Sequence, residues 1–397
     1  MEELPTVRLR PSADARAVRH GAPWIYDTDL VTDRRTRSIA PGTLARLEDA
    51  ERRPLALVAV NPKSRIMCRV IDRDPAATVG RAWFIRRFAS ALALRERLFD
   101  SPFYRLIHAE ADGLPGVIVD RFGDAAVVQP NAAWAEARLD ALVSALVEVT
   151  GVGTVVKNAG GRARASEGLD DVGAVLLGEV AGPVPVPMNG ATYLADLTGG
   201  QKTGLYFDQR PNHAFAARLA RGGSVLDVFS HVGGFSLAAL AAGAGRALAV
   251  DGSAAALDLA ARGAEASGVA ERFETRRGDA FDTLAALTEE GARFDCVVCD
   301  PPAFAPAKPA LQAGLRAYER VAKLAGPLVA PGGFLGLCSC SHAADLDKFR
   351  AASLRGVGRA GRHAQIIHTG FAGPDHPLHP ALAESGYLKV LFLRLVD

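Results

Sequence analysis

The chain is poor in cysteine and in long apolar runs, and each shortage excludes a class of protein. Five cysteines among 397 residues are too few for a disulfide framework, so we expect free thiols, a reducing compartment and a cytoplasmic location. No apolar run follows Met1, and the uncharged stretch at residues 232–245 falls short of the roughly 20 residues that a spanning helix needs. We therefore expect neither secretion nor contact with a membrane.

Net charge is also small, but its distribution is uneven. Residues 1–105 hold 20 Lys or Arg against 13 Asp or Glu, a net charge of +7 in a chain whose total is only +2. Lys and Arg neutralise phosphates, so a basic region of this kind indicates contact with a polyanion such as a nucleic acid. A solvated surface face explains the scattered arginines equally well, and charge alone leaves both interpretations open.

Length and local patterns predict three parts, because chains beyond about 300 residues rarely keep one core. Short strands separated by Pro and Gly turns predict a β-rich domain over residues 1–74, and a two-sided helix among strands predicts an αβ domain over residues 75–187. Strands and helices alternate over residues 188–397, which is typical of βαβ units around a mostly parallel sheet. The predicted fold class is α/β.

A proline series supports the second boundary. Pro183, Pro185 and Pro187 stand at alternating positions, and proline cannot lie in a central strand because it has no backbone N–H. They predict a connector at residues 181–188.

The first candidate site is the loop after the apolar run at residues 225–229. Gly233 and Gly234 stand where this loop turns into a helix, and glycines there let a ligand approach the helix N-terminus. Asp251 ends the next predicted strand, where a carboxylate can accept hydrogen bonds from ribose hydroxyls. A dinucleotide requires the spacing G-x-G-x-x-G, which is missing, so S-adenosylmethionine is favoured over NAD.

Further strand ends extend this series. Asp279 follows the third predicted strand of the domain, and Asp300 follows the fourth. A simple turn with a helix-capping Asp would explain any one of these positions, but it explains the whole series less well. The residues predicted to bind the cofactor are Phe229, Ser230, Gly233, Gly234, Asp251, Asp279, Ala280 and Asp300.

The chemical site is predicted at the fourth and fifth strand ends. Cys338 and Cys340 end the fifth strand, and methylation of carbon 5 of a pyrimidine needs a thiolate that adds to carbon 6. Asp300 precedes two prolines that fix its backbone, and we expect it to assist at the ring nitrogen. Spacing alone does not choose between the two cysteines.

Zinc is the alternative use of these thiols. Cys296 and Cys299 join Cys338 and Cys340 to make four, but residues three apart on a strand point to opposite faces. We therefore predict no metal.

The chain resembles the RlmI and RlmO family of class I 23S ribosomal RNA 5-methylcytosine methyltransferases over essentially its whole length. The segments that carry the resemblance are His20 to Tyr26, Asp112 to Gly116, Asp120 to Gly123, Gln201 to Arg210, Phe229 to Phe235, Asp300 to Pro302, and Ser339 to Ser341. The resemblance implies an N-terminal PUA domain for RNA, a small central αβ domain and a Rossmann-like methyltransferase domain with a seven-stranded sheet. It also implies 23S ribosomal RNA, free or partly assembled, as partner, and a homodimer.

The resemblance also implies roles for individual residues. The cysteine of the Ser-Cys-Ser triplet, here Cys340, is the family's nucleophile, and the segment K-T-G-x-Y-x-D-Q-R supplies Lys202, Asp208 and Arg210 as positioning residues. Asp208 and Arg210 could instead form an ion pair that fixes this segment. Ala303 departs from the family, which usually has Lys after the two prolines.

Three alternatives to cytosine methylation remain. The first is methylation of another RNA base; related guanine-N7 methyltransferases, however, carry Asn where this chain has Cys340. The second is a ribosome-binding or assembly protein without turnover, which Ala303 favours slightly. The third is an NAD-dependent oxidoreductase, which the glycine spacing disfavours.

Overall fold

The computed structural model describes residues 4–199 and 204–396, which form two compact units. The first unit takes residues 4–182, 196–199, 204 and 374–385. The second takes residues 183–195, 205–373 and 386–396. The predicted division at residues 74 and 187 stays a prediction.

The first unit holds two five-stranded sheets. Its strands are β1 (Thr6–Arg8), β2 (Trp24–Ile25), β3 (Thr43–Glu48), β4 (Pro54–Val60), β5 (Cys68–Asp72), β6 (Phe103–His108), β7 (Val117–Phe122), β8 (Ala125–Pro130), β9 (Thr154–Lys157) and β10 (Ala174–Leu177). Its helices are α1 (Ala15–Arg19), α2 (Arg34–Arg37), α3 (Arg81–Leu98), α4 (Ala133–Glu136), α5 (Leu139–Thr150) and α6 (Arg162–Glu167). The strand orders are β1-β3-β4-β5-β2 and β10-β9-β8-β7-β6.

Aromatic packing explains why α3 forms where the sequence predicted a two-sided helix. Trp83, Phe84 and Phe88 recur at helical spacing and are all buried, so one face of α3 lies in the core. The ring of Phe84 stacks on Trp134 with 6.0 Å between centroids. Trp134 itself lies in α4, which a short break separates from α5.

The second unit holds a two-stranded and a seven-stranded sheet. Its strands are β11 (Val184–Met188), β12 (Ala191–Ala195), β13 (Ser224–Val228), β14 (Arg246–Asp251), β15 (Phe273–Arg277), β16 (Phe294–Cys299), β17 (Val329–Ser339), β18 (His363–Phe371) and β19 (Lys389–Val396). Its helices are α7 (Arg210–Leu219), α8 (Gly234–Ala241), α9 (Ala254–Ala266), α10 (Ala280–Glu289), α11 (Leu311–Ala325) and α12 (Leu346–Arg359).

The large sheet confirms the predicted α/β class. Its order is β15-β14-β13-β16-β17-β19-β18; the first five strands run parallel, and β19 runs antiparallel to both of its neighbours. Helices connect the parallel strands, as a Rossmann-like sheet requires.

The connector predicted at residues 181–188 is wrong over most of its length. Val184–Met188 forms β11, which pairs with β12 alone. A two-stranded sheet has only edge strands, so Pro185 and Pro187 are tolerated there, while Val186 and Met188 are buried.

Within the described ranges, we find no helix that combines the length and the apolar character needed to cross a membrane.

Candidate active site

Four parallel strands bring the predicted site residues to one edge of the large sheet. Phe229 follows β13, Asp251 ends β14, Asp300 follows β16 and Cys340 follows β17. Adjacent parallel strands end side by side, so these residues lie along the carboxyl edge, where open α/β sheets bind their ligands.

The loop after β13 has an unusual backbone. Phe229 has a φ of 63° and His231 a φ of 50°, both in the left-handed region that non-glycine residues rarely adopt. Such strain persists only where the surroundings enforce it, and it is commonly found at ligand sites. Gly233 also adopts a left-handed φ, of 80°, where glycine is favoured.

Gly234 has a packing reason that the sequence did not reveal. A Cβ atom at this position would lie 2.7 Å from Nε2 of His213, and His213 is buried beneath the loop. Burial lowers the pKa of His213 to about 3, so this ring is neutral at physiological pH. Gly234 therefore lets α8 begin directly against His213.

Two carboxylates of the series also support the backbone. Asp251 accepts hydrogen bonds from the backbone N–H groups of His231 (2.9 Å) and Ser253 (2.8 Å), which ties the strained loop to β14. Asp279 caps α10 by accepting from the N–H groups of Phe281 and Asp282. Both carboxylates thus have a structural role, and their role in cofactor binding stays a prediction. Ala280, the first residue of α10, is buried.

Asp300 accepts a hydrogen bond from the first of two linked, buried amide side chains. Gln209 Nε2 donates to Asp300 Oδ2 at 2.9 Å, and Gln209 Oε1 accepts from Asn212 Nδ2 at 2.7 Å. Asn212 also donates to the carbonyl oxygen of Phe371 at 3.1 Å, so the orientation of both amides is determined. Burial, and then the negative charge of Asp208, raise the pKa of Asp300 to about 7. Asp300 is therefore able to hold a proton near neutral pH.

Other residues of the Lys202 to Arg210 segment have contacts of their own. Asp208 Oδ2 accepts a 2.7 Å hydrogen bond from Tyr387 Oη, a partner that sequence reasoning missed. The guanidinium group of Arg210 lies 5.4 Å from the ring centroid of Phe207. Lys202 lies outside the described residues.

The two candidate cysteines differ in environment. Cys340 is partly exposed, whereas the other four cysteines are buried, and its Sγ lies 4.0 Å from the carbonyl oxygen of Pro301. Cys338 contacts Asp300 and Gln209, and burial raises its pKa well above the ordinary value. A buried thiol with a raised pKa is a poor nucleophile.

Hydroxyl groups fix the backbone on either side of Cys340. Ser339 Oγ donates to Tyr318 Oη at 2.9 Å, and Tyr318 Oη lies 2.6 Å from Ser341 Oγ. Ser341 Oγ also accepts from the N–H of Ala305 at 2.8 Å. This buried network sets the position of the Ser-Cys-Ser triplet relative to the segment after Asp300.

In the part of the chain that the structure describes, no three His, Cys, Asp or Glu side chains are grouped to hold a metal ion.

Comparison with known families shows what this chain is similar to. Residues 7–73 match a PUA-like domain, and residues 139–366 match the S-adenosylmethionine-dependent methyltransferases. The chain belongs to this methyltransferase family. Its cofactor is S-adenosylmethionine, as the strand ends predicted, and the predicted PUA-like domain is confirmed over residues 7–73.

Relatives extend the match to nearly the whole chain. Ribosomal RNA large subunit methyltransferase I of Erwinia tasmaniensis is 34% identical over 382 residues, which cover 94% of this chain and 95% of that protein. Ribosomal RNA large subunit methyltransferase of Deinococcus radiodurans is 35% identical over an alignment of 408 positions, with 98% of each chain covered. The family resemblance drawn from the motifs is confirmed.

A solved structure shares the fold. SMU.776, described as a methyltransferase complexed with SAH, superposes with a TM-score of 0.83 at 19% identity, over 99% of this chain and all of that one.

Buried acceptors without partners fit the cofactor. Asp227 Oδ2 accepts from the N–H and Oγ of Ser236, both at 2.9 Å, but Asp227 Oδ1, Asp208 Oδ1 and Ser230 Oγ are buried without a hydrogen-bond partner among the described residues. Such atoms are costly unless a ligand satisfies them. S-adenosylmethionine carries an ammonium group and ribose hydroxyls that could donate to them.

Proposed function

We propose that the protein methylates carbon 5 of a cytosine in large-subunit ribosomal RNA through a covalent adduct with Cys340. One observation carries the proposal: the partly exposed thiol of Cys340 lies beside the segment that follows Asp300, at the carboxyl edge of the sheet. A nucleophile and a neutral acid in one site suit a pyrimidine, whose carbon 5 becomes reactive only after attack at carbon 6.

Cys340 and Asp300 have different roles in the proposed reaction. The Cys340 thiolate attacks carbon 6, which forms an S–C bond and moves an electron pair to carbon 5. Asp300 in its protonated form donates to the ring nitrogen and stabilises the adduct, an effect worth roughly 10²–10⁴ in rate. Bound S-adenosylmethionine would supply the methyl group to carbon 5 and would leave as S-adenosylhomocysteine. A base then removes the proton on carbon 5, and the S–C bond breaks to release Cys340.

Cofactor binding is proposed for the loop and the strand ends that follow it. Asp251 would accept from the ribose hydroxyls, and Asp279 with Ala280 would border the adenine. The strained loop of Phe229 and Ser230, with Gly233 and Gly234, would surround the remainder of the cofactor. Asp208, Arg210 and Lys202 are proposed to position the substrates.

Ribosomal RNA as substrate is supported by the relatives and by charge. Both relatives are named for the large-subunit RNA, and α2 in the PUA-like domain exposes Arg34, Arg35 and Arg37. Exposed arginines of this kind bind phosphate without regard to sequence. We expect replacement of all three by Ala to weaken RNA binding and to reduce its salt dependence, which filter binding at two salt concentrations measures.

The decisive test is methyl transfer from labelled S-adenosylmethionine to unmodified 23S ribosomal RNA, with the product nucleoside identified by mass spectrometry. We expect 5-methylcytosine from the wild type and from Cys338→Ala, and none from Cys340→Ala. Cys338→Ala is the matched control because it removes a buried thiol two residues away.

Other outcomes would favour other functions. A methylated purine, or activity that survives in Cys340→Ala, would contradict the covalent mechanism. RNA binding by a wild type that transfers no methyl group would instead favour a ribosome-binding protein.

A further inference from the structure

Lys389 is the first residue of β19 and lies beside the segment that carries Cys340. In the antiparallel pairing of β17 with β19 it stands opposite Ser339. The residue is 4% exposed, and its Nζ donates a 2.7 Å hydrogen bond to the carbonyl oxygen of Ser341. The ammonium group is therefore held at the residue that follows Cys340.

A buried ammonium group is costly unless an anion compensates it. Among the residues that the structure describes, Lys389 forms no ion pair with a carboxylate. Asp345, whose negative charge raises the pKa of Lys389, is exposed and already engaged, because it accepts from the backbone N–H of Lys348 at 2.8 Å and pairs with the Lys348 side chain. No carboxylate among the described residues therefore forms an ion pair that compensates the positive charge of Lys389.

We propose that Lys389 is a positioning residue whose buried ammonium group stabilises the Cys340 thiolate. This rests on the proposed function, in which Cys340 is the nucleophile. A nearby positive charge favours the charged form of a thiol and lowers its pKa. The thiol proton leaves to solvent, and Lys389 keeps its own protons, so it supplies charge alone.

The other titratable groups around Cys340 do not take this role. Those that face it or its lysine from neighbouring elements are the acids Tyr206, Tyr318 and Asp345. His342, two residues along the chain, is exposed, where solvent and salt screen a charge. Burial lowers the pKa of Lys389, whereas the charges of Cys340 and Asp345 raise it, and this coupling is reciprocal.

The test is the pH dependence of Cys340 alkylation by iodoacetamide in the full chain, followed on the Cys340 peptide by mass spectrometry. Only the thiolate reacts, so the midpoint of the profile gives the thiol pKa. In the wild type we expect a pKa below the ordinary value of about 8.5.

Three variants separate charge from structure. Lys389→Gln keeps a donor for the Ser341 carbonyl but removes the charge, and we expect the alkylation rate at pH 7 to fall roughly tenfold, the effect of one pKa unit. Lys389→Arg keeps the charge, so it should preserve the profile. Lys348→Met is the matched control, because it removes an exposed charge close by, and it should also leave the profile unchanged.

Each result decides between the proposals. A wild-type pKa at or above the ordinary value overturns the role of Lys389 without any variant. An unchanged profile in folded Lys389→Gln, with methyl transfer still dependent on Cys340, contradicts Lys389 and leaves the proposed function standing. Methyl transfer by Cys340→Ala would contradict the function, whatever the alkylation shows.

Discussion

At the scale of single residues, the site depends on carboxylates whose environments oppose ionisation. Burial raises the pKa of Asp300 to about 7 and that of Asp227 to about 6, from an ordinary 3.8. Between pH 3.8 and these raised pKa values, the folded chain binds more protons than the unfolded chain. Their contribution to stability is therefore present below pH 3.8 and is lost as the pH rises through 6 to 7.

Replacing Asp300 by Asn should remove its share of this loss. Asparagine keeps an oxygen for Gln209 but carries no charge, so we expect Asp300→Asn to raise Tm at pH 8 by about 2–4 °C and to match the wild type near pH 4. Thermal melting across this pH range measures the effect.

A carboxylate of the opposite kind provides the control. Asp295 accepts from the N–H (2.7 Å) and Oγ (2.8 Å) of Ser224, and these hydrogen bonds lower its pKa. Asp295→Asn should therefore lower Tm at pH 7, with a difference that shrinks towards acid. If Asp300→Asn behaved in the same way, the raised pKa of Asp300 would be wrong.

At the scale of elements, glycine decides how closely α12 packs on α11. A Cβ atom at Gly356 would overlap the carbonyl oxygen of Glu319 and lie 2.7 Å from Cβ of Ala322. At Gly358, two residues further along the same helix, a Cβ atom would meet open space. Only the first glycine is therefore required by the packing.

The two glycines predict opposite effects on stability. Gly356→Ala should lower the free energy of unfolding by about 1–3 kcal/mol, because the helices must separate. Gly358→Ala should raise it by up to about 1 kcal/mol, because alanine favours the helix. Urea denaturation of both variants checks this, and equal effects would argue against the close approach of α12 to α11.

At the scale of the whole molecule, the chain returns late to the first unit. Residues 374–385 lie between β18 and β19 in sequence but belong to that unit. Arg95, fully buried on α3, makes two hydrogen bonds to the carboxylate of Asp112 and one of 2.8 Å to the carbonyl oxygen of Asp375. Asp375 in turn accepts from the N–H of Arg105 at 3.0 Å.

Removing this arginine should be costly. Arg95→Met leaves the buried Asp112 carboxylate with the N–H of His108 but without its ion-pair partner, which typically costs about 3–5 kcal/mol. We expect a lower urea midpoint and faster proteolysis within residues 374–385. Arg97→Met, an exposed change two residues along the same helix, should stay within about 0.5 kcal/mol of the wild type. Comparable losses in the two variants would contradict a specific role for Arg95.

The sequence by itself determined the α/β class, the cofactor and the family, because strand and helix periodicity and motif spacing are local properties of the chain. It did not predict β11, which tolerates proline because it is an edge strand, and it did not predict the break between α4 and α5. The contacts that distinguish the site were decided by tertiary structure. Gln209 meets Asp300 from 91 positions away, and Lys389 reaches Ser341 across 48. Such pairs, and the burial that separates Cys338 from Cys340, exist only once the sheet order brings distant strand ends together.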